Sequence, residues 1–174
     1  MSLGPPGAAG RSMSESPHDK VVYDCNVYLQ FLFNRNGPSG RCVCLALDGE
    51  VELFVSDAVL NELRALPEKP FCARVGITEA IVEDFVTELL PRAIYVNDVP
   101  KAFEHPIDPD DSDYVNLAIV VGAELIVSRD NHLLNLTNPD KPWSAEFRRQ
   151  FPAVRVLQPP QFLAEWDKKV SGGE

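Results

Sequence analysis

The stretch VVYDCNVYLQFLF, residues 21–33, decides the fold because it joins a β-rich apolar run to a helical pattern through one carboxylate. It is almost wholly apolar except for Asp24, Asn26 and Gln30. An unpaired charge inside a protein core costs several kcal/mol, so Asp24 needs either a compensating partner or a position that faces an opening. The rest of the sequence bears on which of the two applies.

Composition places the chain among ordinary globular proteins. It has 174 residues, of which 45% are hydrophobic and 24% are charged, enough for one domain with a core. No apolar run reaches the ~18 residues of a membrane span, which predicts a protein without a membrane partner. The net charge of −10 argues against a general basic surface for nucleic acid, but it allows an enzyme that holds cations with carboxylates.

The ends of the chain differ in composition from its middle. Residues 1–19 are rich in Gly, Pro and Ser and lack the apolar block of a signal peptide, so we expect a disordered lead-in. Residues 170–174 are expected to fray, which leaves one domain over residues 20–169. The four cysteines, which form no CxxC pair, argue against zinc and predict reduced thiols in the cytoplasm. They are Cys25, Cys42, Cys44 and Cys72.

Short, nearly all-apolar segments alternate with helical patterns along the chain. Strands are predicted over residues 20–23, 51–55, 93–96, 125–127 and 154–157. Helices are predicted over residues 26–33, 39–47, 56–66, 77–90, 109–121 and 160–168, with a loop and a short helix over 137–152. Continuous apolar strands are typical of a parallel sheet covered on both faces. The alternation therefore predicts a Rossmann-like, three-layer α/β/α sandwich with a central parallel sheet.

Two aspartates directly follow predicted strands. Asp24 comes after the first strand, and Asp130 lies just beyond the strand at 125–127. Ligands of open parallel sheets bind beyond the carboxyl ends of the strands, so both side chains can face one crevice there. Each aspartate also precedes a predicted helix, and a role as helix N-cap alone would explain it too.

A glutamate lies beside the apolar stripe of the third predicted helix. Glu62 is three residues after Val59 and four before Leu66, at the edge of the stripe, which predicts a partly buried side chain. The alternative is a glutamate that pairs with Arg64 or Lys69.

A fourth group of acids opens the helix predicted at 109–121. Its members are Asp108, Asp110, Asp111 and Asp113. Asp108 as N-cap, Pro109 at the first helical position and acids in the first turn would account for at least two of them. Helical periodicity does not choose between Asp111 and Asp113 as the residue that faces the crevice.

Carboxylates gathered at one sheet edge call for cations. Without them the acids would repel one another and take up protons. Mg²⁺ or Mn²⁺ with oxygen ligands would relieve that repulsion. Two such ions ~4 Å apart suit phosphodiester chemistry, because they activate water and stabilise the leaving oxygen.

Three motifs, in this order, resemble the PIN domain family. They are VVYDCN at 21–26, ELFVSDAVLNEL at 52–63 and DPDDSDYVNLAIVVGAELIVSRDNHLL at 108–134. The likeness is closest to the bacterial branch of VapC-like toxin–antitoxin ribonucleases and runs from about Lys20 to Leu136. Two positions depart from the family pattern: Cys25 stands for the usual Thr, and His132 stands where many relatives carry another Asp.

The resemblance implies a set of site residues. The implied catalytic metal ligands are Asp24, Glu62, Asp111 and Asp130, with Asp113 as a further ligand and Asn26 and Ser128 as supporting polar groups. The implied activity is Mg²⁺- or Mn²⁺-dependent hydrolysis of single-stranded RNA without a covalent enzyme intermediate. The family also implies an antitoxin protein as partner, and its members often dimerise.

An RNA path needs positive charge, since a chain of net charge −10 must approach a polyanion. Arg129 is adjacent to Asp130 in sequence, and Arg35 and Arg41 flank the NGPSG loop after the first predicted helix. We expect these three arginines to line the path; the alternative is that they are ordinary solvated side chains.

Two other functions remain open from the sequence. One is a degenerate PIN module that binds RNA or a protein without cleavage. The other is a metal-dependent phosphatase, although a haloacid-dehalogenase-type enzyme needs a second Asp where Asn26 stands.

Overall fold

The computed structural model of the chain describes residues 18–172. Five parallel strands form one sheet: β1 Lys20–Tyr23, β2 Glu52–Ser56, β3 Ile94–Val96, β4 Leu125–Val127 and β5 Arg155–Leu157. Their spatial order is β3-β2-β1-β4-β5, with helices in the layers that cover the sheet. The predicted three-layer α/β/α sandwich with a central parallel sheet is confirmed.

Nine α-helices connect and flank the strands within residues 18–172. They are α1 Cys25–Phe33, α2 Pro38–Leu47, α3 Asp57–Arg64, α4 Pro70–Val75, α5 Glu79–Leu89, α6 Ser112–Val121, α7 Asn131–Leu134, α8 Ala145–Gln150 and α9 Pro159–Gly172. Short 3-10 turns lie among them, one of which, Pro109–Asp111, leads into α6. Helix α9 runs three residues beyond the domain end expected at 169. Of the lead-in predicted at residues 1–19, residues 1–17 lie outside the described residues, as do the last two residues, 173–174.

Capping explains where several helices begin and end. Helix α3 starts after Ser56, whose hydroxyl accepts from the Val59 N–H. Helix α5 starts at Glu79 rather than at the predicted residue 77, because the Thr78 hydroxyl caps it. Helix α6 ends at Gly122, whose φ of 73° is left-handed and ends the helix as predicted.

Two features were not predicted. Helix α4 was missed, although Pro70 at its first position and the left-handed Gly76 after it are helix start and stop signals. The predicted helix over 109–121 begins instead as a 3-10 turn, because the Asp108 carboxylate accepts from the Asp110 N–H and tightens the first turn.

The core surrounds the middle strands. Val21, Val22 and Tyr23 of β1 are fully buried, as expected for a strand covered on both faces. Helix α6 packs over β1, β2 and β4, whereas α1, α2 and α9 pack together, with Tyr23 and Phe162 in an edge-on contact of 6.4 Å between ring centroids. None of the helices in residues 18–172 has the length and hydropathy required to cross a bilayer.

The register of the sheet positions the site. In the β1–β4 pair, Tyr23 lies opposite Val127, so the residues that follow these two strands are neighbours. The Asp24 N–H donates to the Val127 carbonyl at 2.9 Å and carries the ladder one residue further. Strands β1 and β4 also mark the point where the strand order reverses, which is where ligands of open α/β sheets bind.

Candidate metal centre

Asp24 is buried at the end of β1 and has partners for both carboxylate oxygens. It is only 4% exposed. Its Oδ1 accepts from the Asn26 N–H at 3.5 Å as the N-cap of α1, and its Oδ2 accepts from the Ser128 hydroxyl at 2.6 Å. Burial raises the pKa of Asp24 to about 6, although both hydrogen bonds oppose that shift. The carboxylate therefore has a compensating partner and also lies at the carboxyl edge of the sheet.

Ser128 ties the two strand ends together. It is fully buried, and its N–H donates to the Leu157 carbonyl of β5 at 2.9 Å. Its hydroxyl donates to Asp24 and accepts from the Asp130 N–H at 2.9 Å. One hydroxyl thus fixes the relative position of the two aspartates that follow β1 and β4.

Glu62 approaches the same region from α3. The residue is exposed at the surface, more so than its place beside the apolar stripe predicted. Its carboxylate accepts a hydrogen bond from the Tyr114 hydroxyl, which also accepts from the Cys25 N–H at 3.1 Å. Loss of water on the side that faces the protein raises the pKa of Glu62, against the effect of the Tyr114 bond. The alternative partner Arg64 binds Glu83 instead, at 2.8 Å.

Asp111 is the acid of the 108–113 group that turns inward. It is 7% exposed, and its Oδ2 is buried without a hydrogen-bond partner in the described part of the chain. Burial raises the pKa of Asp111 to about 8, and repulsion from Asp130, Asp108 and Asp24 adds to the shift, as does a hydrogen bond that the protonated carboxyl makes with Asp130. A buried carboxylate oxygen without a donor is costly, so this atom marks a place for a cation or a proton.

Four side chains converge around that atom. One ligand atom from each of Asp108, Asp111, Asp130 and His132 lies within 4.8 Å of the other three. The His132 Nδ1 is 3.4 Å from Asp108 Oδ2, 3.9 Å from Asp111 Oδ2 and 4.0 Å from Asp130 Oδ1. We call these four residues the acid–imidazole cluster.

The other predicted ligands, Asp24, Glu62 and Asp113, lie outside this cluster. Asp24 is joined to it through Ser128, and Glu62 is joined to the β1–α1 turn through a tyrosine. Asp113 is exposed and lies with Lys101 in a separate surface groove. Asn26 contributes its backbone N–H to Asp24.

Three site residues were not predicted as such. Asp108 was assigned only as an N-cap, a role it does fill, and His132 was treated as a departure from the family pattern. The sequence did hold a signal for His132, because it lies two residues after Asp130 and imidazole is a common metal ligand. Nothing in the sequence indicated a site role for Tyr114. A tyrosine at an apolar position of a helix is expected to be a core residue, and Tyr114 is only 1% exposed.

The three candidate arginines differ in their surroundings. Arg35 pairs with Glu88 at 3.7 Å, and Arg41 pairs with Asp167 at 3.2 Å. The NGPSG loop is shorter than predicted, because α2 already begins at Pro38. Arg129 is exposed and forms no ion pair within residues 18–172.

Arg129 lines a groove of about 340 Å³ next to the cluster. Its other lining residues are Gln30, Asn34, Gly37, Pro38, Ser39, Gln158, Pro159 and Pro160. No carboxylate is among them, which is unusual for a chain of net charge −10. The groove is therefore the part of this edge best suited to a polyanion.

The donor set fits a divalent cation. Three carboxylates and one imidazole offer the oxygen and nitrogen ligands used for Mg²⁺, Mn²⁺ and related ions. The unpartnered Asp111 Oδ2 supplies an atom that needs a positive neighbour. A cation held there would compensate the acids that the fold brings together.

Known proteins resemble this chain in sequence. The sequence model of the PIN domain family matches residues 20–132. An uncharacterized protein of Methanocaldococcus jannaschii is 24% identical over 152 residues, which is 87% of this chain and 94% of that protein.

Two crystal structures are similar in fold. One is VapBC2 from Rickettsia felis bound to a promoter DNA fragment, with a TM-score of 0.51 and 11% identity over 80% of this chain and 98% of that chain. The other is DNA-bound VapBC from Salmonella typhimurium, with a TM-score of 0.51 and 16% identity over 81% of this chain and 98% of that chain.

Proposed function

We propose that this chain, which belongs to the PIN domain family, is a metal-dependent endoribonuclease that hydrolyses phosphodiester bonds of single-stranded RNA. Family membership supports a nuclease. The observation that carries the metal dependence is the buried Asp111 Oδ2, which has no hydrogen-bond partner in residues 18–172 and lies among two further carboxylates and an imidazole.

Each residue of the site would have its own role. Asp111 and Asp130 would hold Mg²⁺ or Mn²⁺, with Asp24 and Glu62 at its border, and the bound cation would supply water activation and charge neutralisation at phosphorus. Ser128 orients Asp24 and the Asp130 backbone, and Tyr114 orients Glu62. Asp113, exposed beside Lys101, would act from further out.

Protonation of the site is coupled to cation binding. Because burial and the neighbouring acids raise the pKa of Asp111, its metal-free carboxyl keeps a proton to a higher pH than an exposed carboxyl does. A cation must displace that proton to gain the carboxylate as ligand. The site therefore binds its cation more tightly as the pH rises toward 8.

The substrate path follows the carboxylate-free groove. Arg129 would contact backbone phosphates, while amides such as Gln30 and Asn34 would face bases or sugars. Arg35 and Arg41 would contribute only if RNA displaced Glu88 and Asp167 from their surface ion pairs, which are individually weak.

The biological setting that we propose is that of a toxin restrained by an antitoxin protein. The support is the fold shared with two VapBC structures. A homodimer and a cytoplasmic location complete the proposal; the four cysteines, all unpaired thiols, suit a reducing compartment.

One observation favours a second candidate. His132 lies within 4.0 Å of three carboxylates, so a positive imidazole would offset part of the negative charge of the cluster without a metal. The chain would then be a PIN module that binds RNA or a protein without cleavage.

An RNase assay separates the two candidates. Purified protein is incubated with single-stranded RNA, duplex RNA, single-stranded DNA and a phosphomonoester, each with Mn²⁺, Mg²⁺ or EDTA. The nuclease predicts metal-dependent cleavage of single-stranded RNA that Asp111→Asn abolishes and Asp110→Asn, an exposed acid from the same turn, retains. Binding without cleavage under every metal condition would establish the module instead.

A further inference from the structure

An imidazole stands at coordination distance from the acids of the cluster. The separations of 3.4, 3.9 and 4.0 Å between His132 Nδ1 and carboxylate oxygens of Asp108, Asp111 and Asp130 are too long for good hydrogen bonds. They are short enough for these atoms to bind one ion after a small adjustment of the side chains. With bonds of about 2.1 Å, adjacent octahedral ligands lie about 3 Å apart and opposite ones about 4 Å apart.

A buried histidine links the two segments that carry Asp108 and His132. His105 is 1% exposed, and its Nε2 donates to the His132 carbonyl at 2.9 Å. Its Nδ1 accepts from the backbone N–H groups of Ile107 and Asp108, both at 3.1 Å. One side chain thus links the segment that carries Asp108 to the segment that carries His132. Its two ring nitrogens are both engaged, so it is not itself a ligand.

A second contact fixes the backbone that carries the His132 ring. The backbone N–H of His132 donates to Asp130 Oδ1 at 2.9 Å as the first turn of α7 begins. The His105 and His132 rings are 5.9 Å apart between centroids and tilted by 49°. The His132 ring therefore lies beside the buried His105 ring, and its Nδ1 lies on the side of the acids.

The buried Asp111 Oδ2 indicates that the space between these atoms is for a ligand. It has no hydrogen-bond partner in the described residues, its side chain is 10% exposed, and it lies 3.9 Å from His132 Nδ1. A contact of that length does not satisfy the oxygen. An ion between the two atoms would.

We propose that His132 is a nitrogen ligand of the metal centre and, with Asp108, Asp111 and Asp130, makes the centre prefer a first-row transition ion such as Mn²⁺ over Mg²⁺. Imidazole suits the transition ions, whereas Mg²⁺ prefers oxygen ligands alone. The inference rests on the cation of the proposed function, and it adds a ligand, a donor atom and a metal preference that neither the family match nor the VapBC likeness assigns.

The test is metal binding without RNA. Mn²⁺ is added to the full chain, pulsed EPR reports histidine nitrogen coupled to the ion, and calorimetry gives the Kd values for Mn²⁺ and Mg²⁺. The matched variant is His132→Asp, which replaces the imidazole nitrogen by a carboxylate oxygen, the donor that Mg²⁺ prefers. The His132 side chain is 43% exposed, so we expect the variant to fold, and circular dichroism checks this.

The expected result is a nitrogen coupling in the parent that is lost in His132→Asp, together with a fall of about tenfold in the Mn²⁺ over Mg²⁺ preference. Mn²⁺ binding without nitrogen coupling would overturn the role of His132 and leave the nuclease proposal standing. A folded parent that binds neither ion would overturn both. RNA cleavage is measured separately, so the two failures are distinguishable.

Discussion

Acidic side chains are paired with basic ones at one end of the sheet and lie together at the other. At the amino ends of the strands, Asp19 pairs with Lys169 at 2.8 Å, and Glu165 forms a two-bond pair with Arg155 at 2.9 and 3.0 Å. These ion pairs line a cavity of about 520 Å³. At the carboxyl ends, acids are buried against one another, and no Lys or Arg pairs with Asp111 in residues 18–172.

The difference separates a surface feature from a functional site. Exposed ion pairs contribute about 0–1 kcal/mol and are replaceable, so the amino-end cavity, although well formed, needs no ligand to explain its charges. The carboxyl-end acids raise the free energy of the metal-free fold instead. A cavity is therefore a weaker indication of a site than a cluster of acids that lacks compensation.

The largest expected effect is on catalysis and is confined to the carboxyl end. Asp111→Asn removes the carboxylate whose oxygen lacks a partner, and we expect RNA cleavage to fall by at least about 100-fold. Initial rates with Mn²⁺ on single-stranded RNA measure this. Glu165→Gln at the amino end is the matched acid-to-amide control and should change the rate less than twofold.

A carboxyl-end variant that cleaved RNA like the parent would remove the functional distinction between the two ends. An inactive Glu165→Gln variant with parental fold would do the same, because it would place the amino-end cavity in the reaction.

The next effect is on stability, and its sign differs between the two ends. Without metal and at a pH where Asp111 is ionised, Asp111→Asn should raise the free energy of unfolding by about 1–2 kcal/mol, because it removes a buried repulsive charge and adds an NH₂ donor beside carboxylates. Glu165→Gln should lower it by less than about 1 kcal/mol, since it weakens an exposed pair. Urea unfolding in EDTA gives both values, and equal signs would contradict the comparison.

The sequence predicted which acids lie at the carboxyl edge of the sheet, because this depends only on neighbouring residues in the chain. A strand followed at once by an aspartate, as at Asp24 and Asp130, places a carboxylate beyond the carboxyl end wherever the strand lies in a parallel sheet. Strand positions followed from apolar runs, and the helix predicted from residue 56 begins within one residue of α3. These features depend on a few adjacent residues.

The cluster itself depends on contacts between distant segments. His105 joins the Asp108 segment to His132 across 27 residues, and Tyr114 joins α6 to Glu62 across 52 residues. Neither hydrogen bond can be predicted from the periodicity of apolar residues, because its two residues lie far apart in the sequence. For the same reason, periodicity could not choose Asp111 over Asp113, a choice that the resemblance made and that burial of Asp111 now supports.

A smaller effect is expected from pH on the metal-free protein. The pKa of Asp111 is raised to about 8 and that of Asp24 to about 6 in the folded state, above the ordinary value near 4. Between pH 4 and 8 the folded chain thus binds more protons than the unfolded chain, so stability falls as the pH rises. We expect the melting temperature in EDTA to drop by several degrees from pH 5 to pH 8.

Calorimetric melts at several pH values measure this slope. In Asp111→Asn most of it should disappear, and saturating Mn²⁺ should reverse it, because the cation binds the carboxylate forms of the folded state. A stability that rises from pH 5 to pH 8 in EDTA would mean that the carboxyl-end acids are compensated after all.

The smallest effect concerns cations rather than acids. Arg129 has no carboxylate partner in the described chain and lines a groove without acids, whereas Arg155 at the amino end is held by Glu165. If only the free guanidinium meets RNA, Arg129→Ala should weaken RNA binding a few-fold at low salt and reduce the slope of log Kd against log salt by about 1. Arg155→Ala should leave both values unchanged, although it removes the same charge. Fluorescence anisotropy with a labelled RNA measures the pair. Equal losses in both variants would mean that RNA senses net charge alone, and the carboxyl-end groove would then have no special part in binding.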